Sequence, residues 1–115
     1  MISVLLNETA TVRLDGSGNG TAKMGPLSAR SIWRPDNVHV SANANPTNEA
    51  LCKIYCGDLP IQQNFRDATV SGSSGDSSDR VNASIIKCGQ YIYAVWTGGD
   101  PNVMATLSVT GMKQV

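Results

Sequence analysis

Gly89-Gln-Tyr-Ile-Tyr-Ala-Val-Trp-Thr97 and Val103-Met-Ala-Thr-Leu-Ser-Val-Thr-Gly111 lie on either side of Gly98-Gly-Asp-Pro-Asn102. Aromatic and β-branched residues fit a pleated, half-buried strand, whereas Gly, Asp, Pro and Asn favour turns. The two runs therefore predict a closing β-hairpin and an all-β protein. A loop over residues 98–102 sets the antiparallel register. Tyr91, Tyr93 and Val95 then share a core face with Val103, Ala105, Leu107 and Val109. Ile92, Ala94 and Trp96 fall on the other face beside Met104, Thr106 and Ser108, a face too apolar at one end to be merely solvated. Trp96, Ile92 and Met104 are thus candidate interface residues, and Trp33 and Arg34 are added to them. A loop one residue shorter changes this register, and Trp96 can equally cap the core under a loop, so interface and core both stand at this stage.

Upstream, Thr9-Ala-Thr-Val-Arg-Leu14 alternates, with Ala10, Val12 and Leu14 on one side, as a half-buried strand does. Asp15-Gly-Ser-Gly-Asn-Gly20 leads into Thr21-Ala-Lys-Met24 and predicts a second hairpin. Ser28 to Trp33 is a strand expected to stop at Arg34-Pro35-Asp36-Asn37, because proline cannot donate to a central ladder. Val38, Val40 and Ala42 alternate with His39 and Ser41. Asn43–Asn48 reads as a loop, and Ala50–Cys56 as a strand with Cys52, Ile54 and Cys56 on one face. Phe65–Val70 is a weaker strand, Ser71–Arg80 a polar exposed loop, and Val81, Ala83 and Ile85 mark one more strand. Eight or nine short strands with turn signals every 8 to 12 residues or so predict a single two-sheet antiparallel β-sandwich over residues 1–115, jelly-roll-like or immunoglobulin-like.

Composition narrows the function. Nine Lys plus Arg balance nine Asp plus Glu, so no net field draws nucleic acid or acidic lipid. No run approaches the ~20 apolar residues of a membrane helix, and the start lacks a secretory pattern, so export and membrane insertion are not expected. Three Asn-x-Ser/Thr triplets, at Asn7, Asn19 and Asn82, read as chance occurrences in such a protein.

Three cysteines do not make a disulfide framework. Cys52 and Cys56 lie roughly 13 Å apart along a strand, out of mutual disulfide reach. They read as small buried residues, while pairing of Cys88 with either stays open. The residues supply no catalytic motif, and no cofactor or metal is expected. His39, the only histidine, sits on the polar side of its strand. Asp76 and Asp79 with nearby serines offer calcium-type oxygens but too few carboxylates, so the loop reads as solvated.

The words Gly89-Gln-Tyr-Ile-Tyr-Ala-Val-Trp-Thr-Gly-Gly-Asp-Pro101 and Ala105-Thr-Leu-Ser-Val-Thr-Gly111, following a Ser/Gly-rich loop, resemble small virion accessory proteins of tailed bacteriophages, above all those of actinobacterial hosts. The resemblance spans about residues 50 to 111 and has no diagnostic motif. It implies a non-enzymatic β-sandwich subunit, either a capsid decoration (cement) protein or a minor tail protein, assembled in the host cytoplasm. It also implies capsid or tail subunits as partners and a homo-oligomer such as a trimer. The rival reading is a carbohydrate-binding module for host surface glycans, with Trp33, Trp96, Tyr55, Tyr91 or Tyr93 stacking on sugar rings.

Overall fold

The computed structural model describes residues 2–42, 49–72, 75–82 and 84–115. Its nine strands are β1 (Ser3–Arg13), β2 (Gly20–Met24), β3 (Ile32–Ala42), β4 (Ala50–Gly57), β5 (Phe65–Ser71), β6 (Asp76–Ser78), β7 (Ile86–Lys87), β8 (Tyr91–Thr97) and β9 (Met104–Gln114). A 3-10 turn, Gln62–Asn64, precedes β5. The strands form two antiparallel sheets, ordered β1-β9-β3-β6 with β7 also on β3, and β2-β8-β4-β5. The all-β sandwich expected from the sequence is therefore present.

Its winding is that of a jelly roll. Strands β1 and β9, β2 and β8, β3 and β6/β7, and β4 and β5 pair as if one long hairpin had been folded around the core. Both sheets present apolar rows inward: Leu6, Val38, Val40, Leu107 and Val109 from the first, and Cys52, Ile54, Ile92, Ala94 and Trp96 from the second.

This winding corrects the closing hairpin. The runs 91–97 and 104–114 are strands, but they belong to different sheets. Ala94 sits between Ala22 and Ile54, whereas Leu107 sits between Ala10 and Val40. In a flat hairpin only one of the two apolar rows faces the core. Crossing between the sheets sets Ile92, Ala94 and Trp96 against Ala105, Leu107 and Val109 and removes all six from water. The row Tyr91, Tyr93 and Val95 is consequently the outer face of the second sheet.

The Asp15–Gly20 turn is a crossing of the same kind, because β1 and β2 lie in opposite sheets. The two crossings are bonded together: Gly99 N donates to Gly18 O at 3.0 Å, Gly98 N to Asn19 Oδ1 at 3.1 Å, and Asn102 N to Asp15 O at 3.2 Å.

Pro35 does not end its strand. Strand β3 runs through it with a bulge between Pro35 and Asn37, opposite Gly111. On its other side β3 pairs with β7 only at Ile32 and Trp33, and with β6 only at Val38 to Val40. Pro35 occupies the gap, where no ladder needs its missing N–H. Residues 28–31, read from sequence as the start of this strand, form a turn instead.

Two more expectations change. Within the polar segment 71–80, Ser71 is a buried end of β5 and Asp76–Ser78 pairs with β3 as a short edge strand. The segment from Val81 is a turn, with Val81 and Ser84 buried and Ile85 exposed. Ala83 and the loop at 43–48 fall outside the described residues.

Candidate functional site

The two long sides of the sandwich differ. On one side, where β5 and β6 are the edges, side chains tie the sheets together. Ser78 Oγ donates to Asp67 Oδ2 at 2.5 Å, the Thr69 hydroxyl donates to the Asp76 carboxylate, and Arg66 Nε donates to Ser84 Oγ at 3.0 Å. The Thr69 hydroxyl above all, then the Ser77 amide and nearby His39, hold the Asp76 carboxyl below its ordinary range.

On the other side, edge strands β1 and β2 leave a groove of about 660 Å³. Trp33, 7% exposed, and Met24 and Pro26 supply apolar lining, and Tyr91 and Leu27 add to it. Leu27 is 97% exposed, on the connection from β2 to β3. Ser31 Oγ anchors that connection by donating to Gln114 O at 3.1 Å. Thr9 also lines the groove although its hydroxyl meets Ser108 Oγ at 3.3 Å, so the groove reaches the edge of β1. Three cations, Lys23, Arg30 and Lys113, line it with one carboxylate, Glu8. Glu8 pairs with Lys113 at 3.4 Å, and Lys23 Nζ sits 4.5 Å from the centre of the Tyr91 ring.

The five candidate interface residues do not come together. Ile92 and Trp96 have no exposure and face the core, so they offer no surface to a partner. The error was one of sheet assignment: strand parity places a side chain on a face but does not say which sheet covers that face. Met104 is 38% exposed on the outer face of the first sheet, Arg34 is exposed on the same sheet, and Trp33 is nearly buried beside the groove. Sequence reasoning missed Leu27, Lys23 and Arg30. An apolar residue directly after Gly25-Pro26, between two cations, was the available signal.

Aromatic residues give no open platform. Tyr55 packs edge-on against Phe65 at 5.7 Å, and Tyr91 against Tyr93 at 5.8 Å. Tyr93 Oη donates to Asp58 O at 2.6 Å, closing the 58–64 segment over the outer face of the second sheet.

The buried thiols, His39 and Asp76 are engaged structurally. All three cysteines are free thiols, Cys52 and Cys56 buried as the sequence suggested and Cys88 exposed. Burial pushes Cys52 up to about 12 and raises Cys56 too, so both stay protonated at neutral pH. His39 Nδ1 lies 2.8 Å from Ser77 Oγ, a cross-strand pair on an exposed sheet face. The carboxylate that could orient this histidine, Asp76, is engaged by Thr69 and by the Ser77 amide at 2.9 Å. Among the described residues, no three His, Cys, Asp or Glu side chains cluster closely enough to hold a metal ion.

Compared with known protein families and with curated proteins, the chain matches none.

Proposed function

We propose that this chain is a non-enzymatic structural subunit of a bacteriophage virion, a capsid decoration or minor tail protein that stabilises the particle by binding neighbouring subunits. The observation carrying this reading is exposed apolar surface at one end of the first sheet. Leu5 (78% exposed) and Met112 (40%) are directly opposed across β1 and β9, with Ile2 and Val115 nearby in the chain pairing and both exposed. Paired exposed apolar side chains of this kind favour a protein contact. The jelly roll is used by viral capsid proteins and by lectins, which is support by analogy of fold only. Many such contacts, repeated by oligomeric copies over a particle, add by avidity.

Particles lacking the protein, mixed with the purified chain, test this reading. Co-sedimentation and a higher particle melting temperature are expected, both reduced by Leu5→Glu/Met112→Glu. A folded protein that never associates with capsids or tails removes the proposal. The glycan-binding alternative draws less support from the arrangement of rings, since Trp33, Tyr55, Tyr93 and Trp96 are all buried.

A further inference from the structure

We propose that the open side of the sandwich binds an extended, acidic segment of a partner polypeptide. The segment adds as a strand to the free edge of β1 and lays alternate apolar side chains into the groove. The choice of a polypeptide as occupant rests on the contact-subunit reading above; the chemistry rests on three independent features of this side.

The first is the edge itself. Strand β1 is eleven residues long and among the described residues pairs only with β9, so its outer backbone donors and acceptors meet no described strand. Natural edges are commonly blunted by proline, lysine, bulges or shortness. Strand β1, Ser-Val-Leu-Leu-Asn-Glu-Thr-Ala-Thr-Val-Arg, carries no proline or lysine; its two charges, Glu8 and Arg13, are engaged by Lys113 and by Asn102 O, and its ladder with β9 is regular from Ser3 to Arg13. The opposite side of the sandwich has the contrary design, with a three-residue edge strand tied across to its neighbour by side-chain bonds.

The second is the groove beside that edge. Its apolar lining comes from Trp33, Met24, Pro26 and Leu27, and along β1 the inward-facing Ala10 and Val12 are only partly buried against the core. A strand added to β1 places every second side chain on this side, the spacing that lets main-chain bonds give affinity and pockets give specificity.

The third is charge. Glu8 offsets Lys113, leaving Lys23 and Arg30 without a carboxylate partner among the described residues. Both are exposed at the rim and select acidic over basic strands.

Three blocked eight-residue peptides alternating valine and threonine test this, with two of the threonines replaced by glutamate, glutamine or lysine. Binding to the intact protein is followed by Tyr and Trp fluorescence and by amide hydrogen exchange. The glutamate peptide is expected to bind tightest and to slow exchange at alternate β1 amides, those not bonded to β9. Lys23→Glu/Arg30→Glu, which changes only exposed side chains, is expected to weaken it roughly five- to tenfold and to favour the lysine peptide. Equal binding of all three peptides, or no protection in β1, overturns the proposal. So does a concentration-dependent dimer that protects β1 by itself, which assigns the edge to a second copy. Particle association by a chain that binds none of the three peptides overturns the groove while leaving the contact-subunit reading intact, and peptide binding without particle association does the reverse.

Discussion

Trp96 Nε1 donates to Ser71 Oγ across 3.2 Å, and neither residue has any solvent exposure. The bond joins β8 to the end of β5 over the intervening strand β4, where Ala50 lies opposite Ser71 and Cys52 opposite Trp96. Both β4 residues are small, which leaves the indole room to reach. A buried indole N–H must find an acceptor, and here the serine is that acceptor.

Ser71→Ala removes the acceptor while leaving the indole in place. The unsatisfied donor costs about 1 to 3 kcal/mol, read as a lower urea midpoint with unchanged slope. Trp96→Ala empties the centre of the core and costs about 3 to 5 kcal/mol.

Gly18 and Gly16 share one turn but differ in what surrounds them. A Cβ on Gly18, at φ +76°, would lie 1.8 Å from Gly99 O, a backbone atom of the other sheet crossing, whereas a Cβ on Gly16 meets nothing within 4 Å. Gly18→Ala is expected to destabilise by at least about 2 kcal/mol, and Gly16→Ala to change stability by no more than about 0.5 kcal/mol. Thermal melts of the two variants side by side check the contrast.

A thiol reagent under native conditions should modify Cys88 at once and Cys52 and Cys56 only after unfolding, giving one fast equivalent of three by mass. The buried thiol also sets an alkaline limit. The folded value for Cys52, about 12, lies above its ordinary 9.0, so its contribution is complete below pH 9 and declines as pH rises towards 12, by about 1.4 kcal/mol per pH unit. Tyr93, raised by desolvation and by neighbouring Tyr91 and Asp58, acts in the same direction above pH 10. Cys52→Ala should flatten the fall of the urea midpoint above pH 9.

The acid limb has the opposite sign. The Asn19 and Ser17 amides hold Asp15 below its ordinary 3.8, and the Thr69 hydroxyl leads the same effect at Asp76. Their stabilisation is complete above that value and disappears as pH falls through the lower folded values. Asp15→Asn/Asp76→Asn should lose stability at pH 6 and show a shallower decline between pH 4 and pH 2.

Strand positions were readable wherever alternation was strong. Val38, Val40 and Ala42 point inward, as do Cys52, Ile54 and Cys56, because a period of two leaves one apolar row to bury. Sheet membership was not readable. Gly98–Asn102 and Asp15–Gly20 have the composition of hairpin turns, and only the partners of Ala94 and Leu107 reveal that both are crossings. Pro35 misled for a related reason: its effect depends on a gap between β7 and β6, which are distant in sequence. The groove was invisible because it is made by the mutual position of β1, β2 and the Gly25–Ser31 connection rather than by any one segment.

Strand β9, the last of the nine to be synthesised, lies between β1 and β3, so the first sheet has no continuous form until it arrives. Until β9 is made, Leu6 has no strand beside it and Val38 and Val40 have only β6, and β9 then closes all three in a step of long sequence separation. Before that step the facing edges of β1 and β3 are unpaired and open to pairing with the wrong strand.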